Sequence, residues 1–221
     1  MSAFLYRLGL TLRETGQALD RLGCQLQGNP AYREEFFRHR SVLNLPSAVS
    51  DIAPNAFVAP SAAVSGKVSV GSNSSIWYGT VVRGDGAEVT IGDNTNLQDG
   101  VIVNTGPINL VSARAETRIG NSVTVGHSAN LYGVTLEDRC LVGMGATLHK
   151  GVKVETGAMV AAGSVVEEDT VIPANQLWAG NPAKFLRELK PEEKSFLPNS
   201  ADIYSKLAAE HKSEASKLPP Y

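Results

Sequence analysis

Aliphatic residues recur at a strict spacing of six along the middle of this chain: Ile52, Val58, Val64, Val70, Ile76 and Val82 stand six apart without exception. After a slip, the spacing runs through Ile91, Leu97 and Val103, after an interruption through Ile119, Val125 and Leu131, and finally through Val142, Leu148, Val154, Val160, Val166 and Ile172. Four residues after these positions the side chain is small or β-branched almost throughout, as at Ala56, Ala62, Ser74, Thr80, Val101, Ala129, Thr135, Ala146 and Ser164. A helix repeats its apolar face at three and four residues, so two inward positions in every six exclude one. A short strand and a turn, with one bulky and one small residue pointing inside and Gly, Asn or Asp at the corners, satisfy the pattern. Stacked three to a coil, such units predict a parallel β-solenoid of roughly six or seven coils between about residues 50 and 178.

Composition agrees with an aliphatic interior, since the 221 residues are 43% hydrophobic but only 6% aromatic. A formal net charge of -2 leaves no basic excess, which argues against nucleic acid as the main partner. No apolar run approaches the ~18 residues that a membrane-spanning helix needs. Cys24 and Cys140 stand far apart without a CxxC or a Cys/His cluster, so neither a disulfide framework nor a structural zinc knuckle is expected, and a reducing interior is the default.

The expected organisation is an N-terminal amphipathic helix and linker over residues 1–48, the repeats over 49–180, and a C-terminal helical segment over 181–221. Within residues 2–25, Phe4, Leu5, Leu8, Leu12, Leu19 and Leu22 fall at helical spacing. The first thirteen residues carry Arg7 and Arg13 and no acid, compatible with a mitochondrial import signal. The leucine face reads as docked on its own protein or a neighbour, or alternatively as lying on a membrane surface. Gly9, Gly16 and Gly23 recur every seven residues off that face. The interruption at 104–118, with Gly106 and Pro107, is expected to loop out of the solenoid wall. Gly180-Asn181-Pro182 closes the repeats, Pro191 with Glu192 and Glu193 reads as a helix start, and Pro198 as the end of that short turn. A second helix is predicted from about Ser200 to Lys217, its Ile203, Leu207 and Ala208 packing along the solenoid flank.

Several segments carry a resemblance: Arg13 to Cys24 in the N-terminal helix, Ser75-Ile-Trp-Tyr-Gly79, Arg83-Gly84-Asp85, Asn96-Leu-Gln-Asp-Gly100, Thr124-Val-Gly-His-Ser128, Gly143-Met-Gly-Ala146 and Gly180-Asn-Pro-Ala183. In these the chain resembles the γ-class carbonic anhydrases, and more closely the γ-carbonic-anhydrase subunits of plant and algal mitochondrial complex I. The resemblance covers nearly the whole chain and implies an all-β solenoid, a left-handed parallel β-helix of hexapeptide repeats, flanked by N- and C-terminal α-helices. It also implies a trimer with other γ-carbonic-anhydrase subunits, attached to membrane-arm subunits of complex I on the matrix side of the mitochondrial inner membrane.

Catalysis in that family uses a zinc or iron ion held by three histidines, with an open position for the water whose pKa the metal lowers. Carried onto this chain, the first ligand position is Asn104, the second is the retained His127 and the third is Tyr132. Asn is a poor zinc ligand and neutral Tyr a poorer one, so the chain is not expected to build the site from its own copies. His127 reads either as a hydrogen-bonded interface histidine or, since the family draws its second ligand from the neighbouring subunit, as a ligand completing a neighbour's zinc site. His39, His149 and His211 read as surface or packing residues. Arg83 and Asp85 resemble the family's interface pair, expected to bridge adjacent solenoids, and Gln98 and Asp99 resemble residues that orient water and histidine beside the metal. The resemblance therefore implies a non-catalytic structural or assembly subunit. The alternatives are a carbonic anhydrase sharing its site in a mixed trimer and, ranked last, a hexapeptide acyltransferase using His127 as general base toward a CoA thioester.

Overall fold

The computed structural model describes residues 3–26, 41–45, 48–105 and 115–217. The chain divides into two units, residues 1–39 and 40–221. The first contains helix α1 (Ala3–Leu26), on which Phe4, Leu5, Leu8, Leu12, Leu19 and Leu22 are exposed. No helix among the described residues is long and apolar enough to cross a membrane.

The second unit is the expected parallel β-solenoid of about seven turns. Its walls are columns of short strands. The third wall gives the clearest count: Phe57–Val58, Ser75–Ile76, Asn96–Leu97, Thr124–Val125, Leu141–Val142, Met159–Val160 and Gln176–Gly180 stack in parallel register. The first wall runs through Val82, Val103, Leu131, Leu148 and Val166, and the second through Ile91, Ile119, Leu136, Val154 and Ile172. Strands Ala63–Val70 and Val81–Ile91 turn the corner between these two walls, which joins both into one sheet. Each coil delivers its aliphatic and small residues inward, and Ile76, Leu97, Leu131, Leu148 and Ile172 are fully buried. Burying each such side chain contributes about 1.5–3 kcal/mol, which is how a core almost without aromatics is held.

Two breaks in the period have distinct structural causes. At the slip between Val82 and Ile91, the step from Gly66 to Val68 lies opposite the step from Gly84 to Val89, so residues 85–87 are extra and bulge from the corner. The backbones touch here: a Cβ on Gly66 would sit 2.4 Å from the Gly84 carbonyl carbon, and one on Gly84 would sit 2.3 Å from the Lys67 oxygen. The second break corrects the sequence reading. Thr135 is only half-buried, whereas Leu136, five residues after Leu131, fills the aliphatic position and Cys140, four further on, fills the small one. One residue is missing from that unit, and the sequence pattern stepped over Leu136 because it follows Leu131 by five. Burial pushes the Cys140 thiol up to about 12, so it is a protonated core group.

The predicted loop at 104–118 leaves the first wall at Thr105 and returns at Ala115, whose N–H donates to the Thr105 carbonyl at 3.0 Å; residues 106–114 lie outside the described residues. His39 also lies outside them. After the repeats, Ala183–Glu188 folds back antiparallel on Gln176–Gly180 and covers the end of the third wall, a strand the sequence reading did not anticipate.

Helix α2 (Pro191–Lys217) is one helix rather than two, passing through Pro198. Proline returns no N–H to the Lys194 carbonyl, but Leu197 and Ala201, at 2% and 1% exposure, anchor both sides of the break on the solenoid. The packing face also differs from expectation, since Ile203 and Leu207 are exposed. The solenoid is met instead by Leu197, Ala201, Tyr204, Ala208 and His211. Spaced four, three, four and three, that set was open to sequence inspection and was masked by the larger aliphatics beside it. Trp77 is its socket, with ring centroids 5.6 Å from Tyr204 and 4.9 Å from His211, and the Tyr78 hydroxyl lies 2.9 Å from His211 Nδ1.

Candidate functional site

His127 follows strand Thr124–Val125 at the corner leaving the third wall, and its backbone is fixed from below by a buried polar ladder. Asn96 Nδ2 donates to Thr124 Oγ1 at 3.0 Å, Gln98 Nε2 donates to Asn96 Oδ1 at 3.3 Å, and Gln98 Oε1 accepts the His127 N–H at 3.2 Å. The Thr80 hydroxyl donates to the Gln98 carbonyl at 2.7 Å. Polar groups buried this deeply persist because each has a partner, and together they fix one position for the corner.

The imidazole is oriented as tightly as its backbone. Asp99 spends one carboxylate oxygen on the Tyr78 N–H at 3.1 Å and presents the other to His127 Nδ1 at 3.1 Å. A carboxylate on Nδ1 selects the tautomer with the proton there, which leaves the Nε2 lone pair facing away from the pair. The side chain is 41% exposed. Beside it runs an apolar groove of ≈ 410 Å³ between the third wall and α2, lined by Met144, Met159, Phe196 and Tyr204 among others. The groove was not legible in the sequence, because it depends on where α2 docks.

Asn104 and Tyr132 are brought together, but on the first wall. They are register partners of adjacent parallel strands, and Arg83 continues the same column on the preceding coil. On the other side Tyr132 stacks on His149, with ring centroids 6.3 Å apart and planes 17° from parallel. His127 belongs to the third-wall corner, so the positions that the resemblance assigns to metal ligands fall in two halves on different walls. Among the described residues no group of three or more His, Cys, Asp or Glu side chains could hold a metal ion. An amide and a phenol in one half, and a lone imidazole in the other, do not fit a zinc that requires three strong donors.

Arg83 and Asp85 pair within this chain. Arg83 Nε and Nη2 both donate to Asp85 Oδ2, at 3.2 and 2.7 Å, while Asp85 Oδ1 is buried without a hydrogen-bond partner. Within the chain the pair thus forks onto one carboxylate oxygen and leaves the other without a partner.

Residues 116–150 and 133–168 match the hexapeptide repeat of succinyl-transferase. Gamma carbonic anhydrase 1, mitochondrial, of Arabidopsis thaliana is 50% identical over 212 residues, covering 96% of this chain and 77% of that protein. A carbonic anhydrase of Geobacillus kaustophilus is 37% identical over 142 residues, 64% of this chain and 75% of its own. Among solved structures, that of a hexapeptide transferase family protein from Anaplasma phagocytophilum superposes with a TM-score of 0.70 at 40% identity, over 76% of this chain and 95% of that one.

Proposed function

The chain belongs to the γ-class carbonic anhydrase family, and from that premise we propose that it is a non-catalytic member, a structural and assembly subunit of a mitochondrial γ-carbonic-anhydrase trimer. The observation that carries this reading is the register pairing of Asn104 with Tyr132, which puts an amide and a phenol side by side where the family places two of its three imidazoles. The intact core around them speaks for a scaffold retained for assembly. Asp85 Oδ1, buried and unpartnered, suits a donor from a neighbouring subunit, so Arg83 and Asp85 are the groups we assign to the trimer contact.

The mitochondrial assignment leans on relatives named as mitochondrial, at 48–50% identity. Within the mitochondrion we place the trimer on the matrix side of the inner membrane, attached to the membrane arm of complex I. The exposed leucine face of α1 would supply contact with partner protein or the lipid surface.

A second reading is favoured by the Asp99–His127 pair: a carbonic anhydrase whose zinc is shared with a subunit carrying the other two histidines. His127 would then be the ligand lent across the interface, oriented for it by Asp99. Isolating the native assembly decides between the two. Neighbouring subunits with histidines at the positions of Asn104 and Tyr132, together with bound zinc, support the shared site, whereas neighbours lacking both leave assembly as the role. Retention on immobilised CoA would instead favour an acyltransferase.

A further inference from the structure

The corner between the second and third walls is a ladder of left-handed residues. Asn73, Asn94, Ser122, Arg139, Gly157 and Asn175 occupy it with φ of 58, 53, 54, 57, 69 and 62°. Asn94, Ser122, Arg139 and Gly157 donate their N–H to the carbonyls of Ser72, Asp93, Asn121 and Asp138, so the corners stack one directly on another. Small polar side chains suit this conformation because they tolerate positive φ. They also bridge the coils: Asn55 Nδ2 donates to Asn73 Oδ1 at 2.9 Å and Asn94 Nδ2 to Ser122 Oγ at 3.4 Å.

The ladder breaks at its fourth and fifth rungs. Arg139 places a long cation where other coils use Asn or Ser, in a conformation unfavourable to it, and such outliers persist where they serve a site. The next rung has no side chain at all. A Cβ on Gly157 would approach only Asn175 Oδ1, at 3.5 Å. The missing side chain opens a notch of ≈ 210 Å³ with Arg139 on one side and Asn175 on the other, roofed by Lys194, Leu197 and Pro198 of α2.

No acidic residue lines the notch, and among the described residues neither Arg139 nor Lys194 makes an ion pair. The nearby carboxylates are engaged elsewhere. Glu137 accepts from Thr156 and pairs with Lys153, and Glu193 pairs with Arg187; Asp138, which does not line the notch, keeps its charge and turns Oδ1 to the Asn121 N–H at 2.7 Å. Two uncompensated cations in a concave space large enough for a small ion and a few waters attract a negative charge. Arg supplies a planar fork matched to two oxygens of one ligand.

We propose that this notch, formed by Arg139, Gly157, Asn175 and Lys194, binds a small oxyanion, either a phosphate or a carboxylate-like ion. The Arg139 guanidinium is its forked donor and Lys194 its second charge.

The test is a titration of the isotope-labelled full chain with sodium phosphate, and separately with sodium bicarbonate, against sodium chloride at equal ionic strength. The expected result is a saturable shift of the Gly157 amide and the Arg139 side-chain Nε–H with at least one of the two anions, and none with chloride. A response to phosphate alone assigns a tetrahedral ligand; a response to bicarbonate alone assigns a planar one. Two variants take residues the ladder already uses, Arg139→Ser and Gly157→Asn, the second filling the notch. Each is expected to weaken the anion at least tenfold. Should Gly157→Asn fail to fold, Arg139→Ser carries the test. No saturable shift with either anion, or undiminished affinity in Arg139→Ser, overturns the proposal.

Discussion

Asn104 and Tyr132 are register partners on adjacent parallel strands, one coil apart on the same wall, with Arg83 before them and the His149 ring stacked behind. Histidines at both positions would therefore point from neighbouring rungs, the arrangement that two ligands of one metal require. We predict that Asn104→His with Tyr132→His lets the homotrimer retain zinc or cobalt. Cobalt gives a visible spectrum that reports nitrogen coordination. Equal metal retention by the unmodified chain would sink the ligand assignment.

The fold should be most sensitive where backbones touch. Gly84→Ala places a methyl against the Lys67 carbonyl, which cannot yield without shifting the neighbouring coil, and a loss of more than about 2 kcal/mol is expected in chemical denaturation. Gly145→Ala is the matched control, since its Cβ would meet nothing within 4 Å and its cost is confined to a φ of 65°. Gly84 carries no positive φ, so a loss below about 1 kcal/mol in Gly84→Ala would mean that the neighbouring coil yields to the methyl.

Leu148 is fully buried between Leu131 and Val166 of the first wall. Leu148→Ala is expected to cost about 2–5 kcal/mol, the range for a core cavity that relaxes only in part. A loss below about 1 kcal/mol in the same denaturation experiment would show that neighbouring coils close up over the gap.

The start of α2 carries a pH-sensitive clasp. Bonds from Arg187, at 2.7 and 2.8 Å, and from the Lys190 N–H hold the Glu193 carboxyl down to about 2 from 4.5. A carboxyl lowered in the folded state contributes stability that is complete above its unfolded value near 4.5 and is lost as pH falls toward about 2. Amide protection factors at the first turns of α2, which correct for the intrinsic pH dependence of exchange, should therefore fall as pH drops across that window in the natural chain. They should be low throughout and nearly flat in Glu193→Gln. The same pH dependence in both chains would assign the effect to another group.

Much of this architecture is legible in the six-residue period, because each inward position obeys one rule repeated coil after coil. The rule fails where a single residue is added or lost. The unit holding Leu136 and Cys140 is one residue short, and only three-dimensional register reveals that Leu136 restores the pattern. The course of α2 was less legible still. Pro198 is a stop signal locally, yet Leu197 and Ala201 pack on the same solenoid surface and carry the helix through it. At the candidate site, the resemblance singles out His127, Gln98 and Asp99, and the structure adds the contacts by which Gln98 and Asp99 hold His127. The groove beside His127 and the notch at Gly157 arise from α2 meeting the wall, a long-range contact that no local pattern encodes.

Removing residues 1–25 should leave the melting transition of the solenoid unchanged, because residues 40–221 form a unit of their own and each coil is stabilised by its neighbours. The truncated chain is expected to form its trimer and to lose attachment to the larger membrane-bound assembly on native gels. A trimer that no longer forms would place the role of α1 within the trimer itself.

The central claim is that copies of this chain alone cannot build the family's three-imidazole centre, since each site would hold His127 with Asn104 and Tyr132. The most direct measurement is zinc content by mass spectrometry on the purified, zinc-loaded and dialysed homo-oligomer, with carbon dioxide hydration followed by stopped flow on the same sample. The account predicts no retained zinc and a hydration rate at the buffer background; one tightly held zinc per subunit, with hydration well above that background, would contradict it.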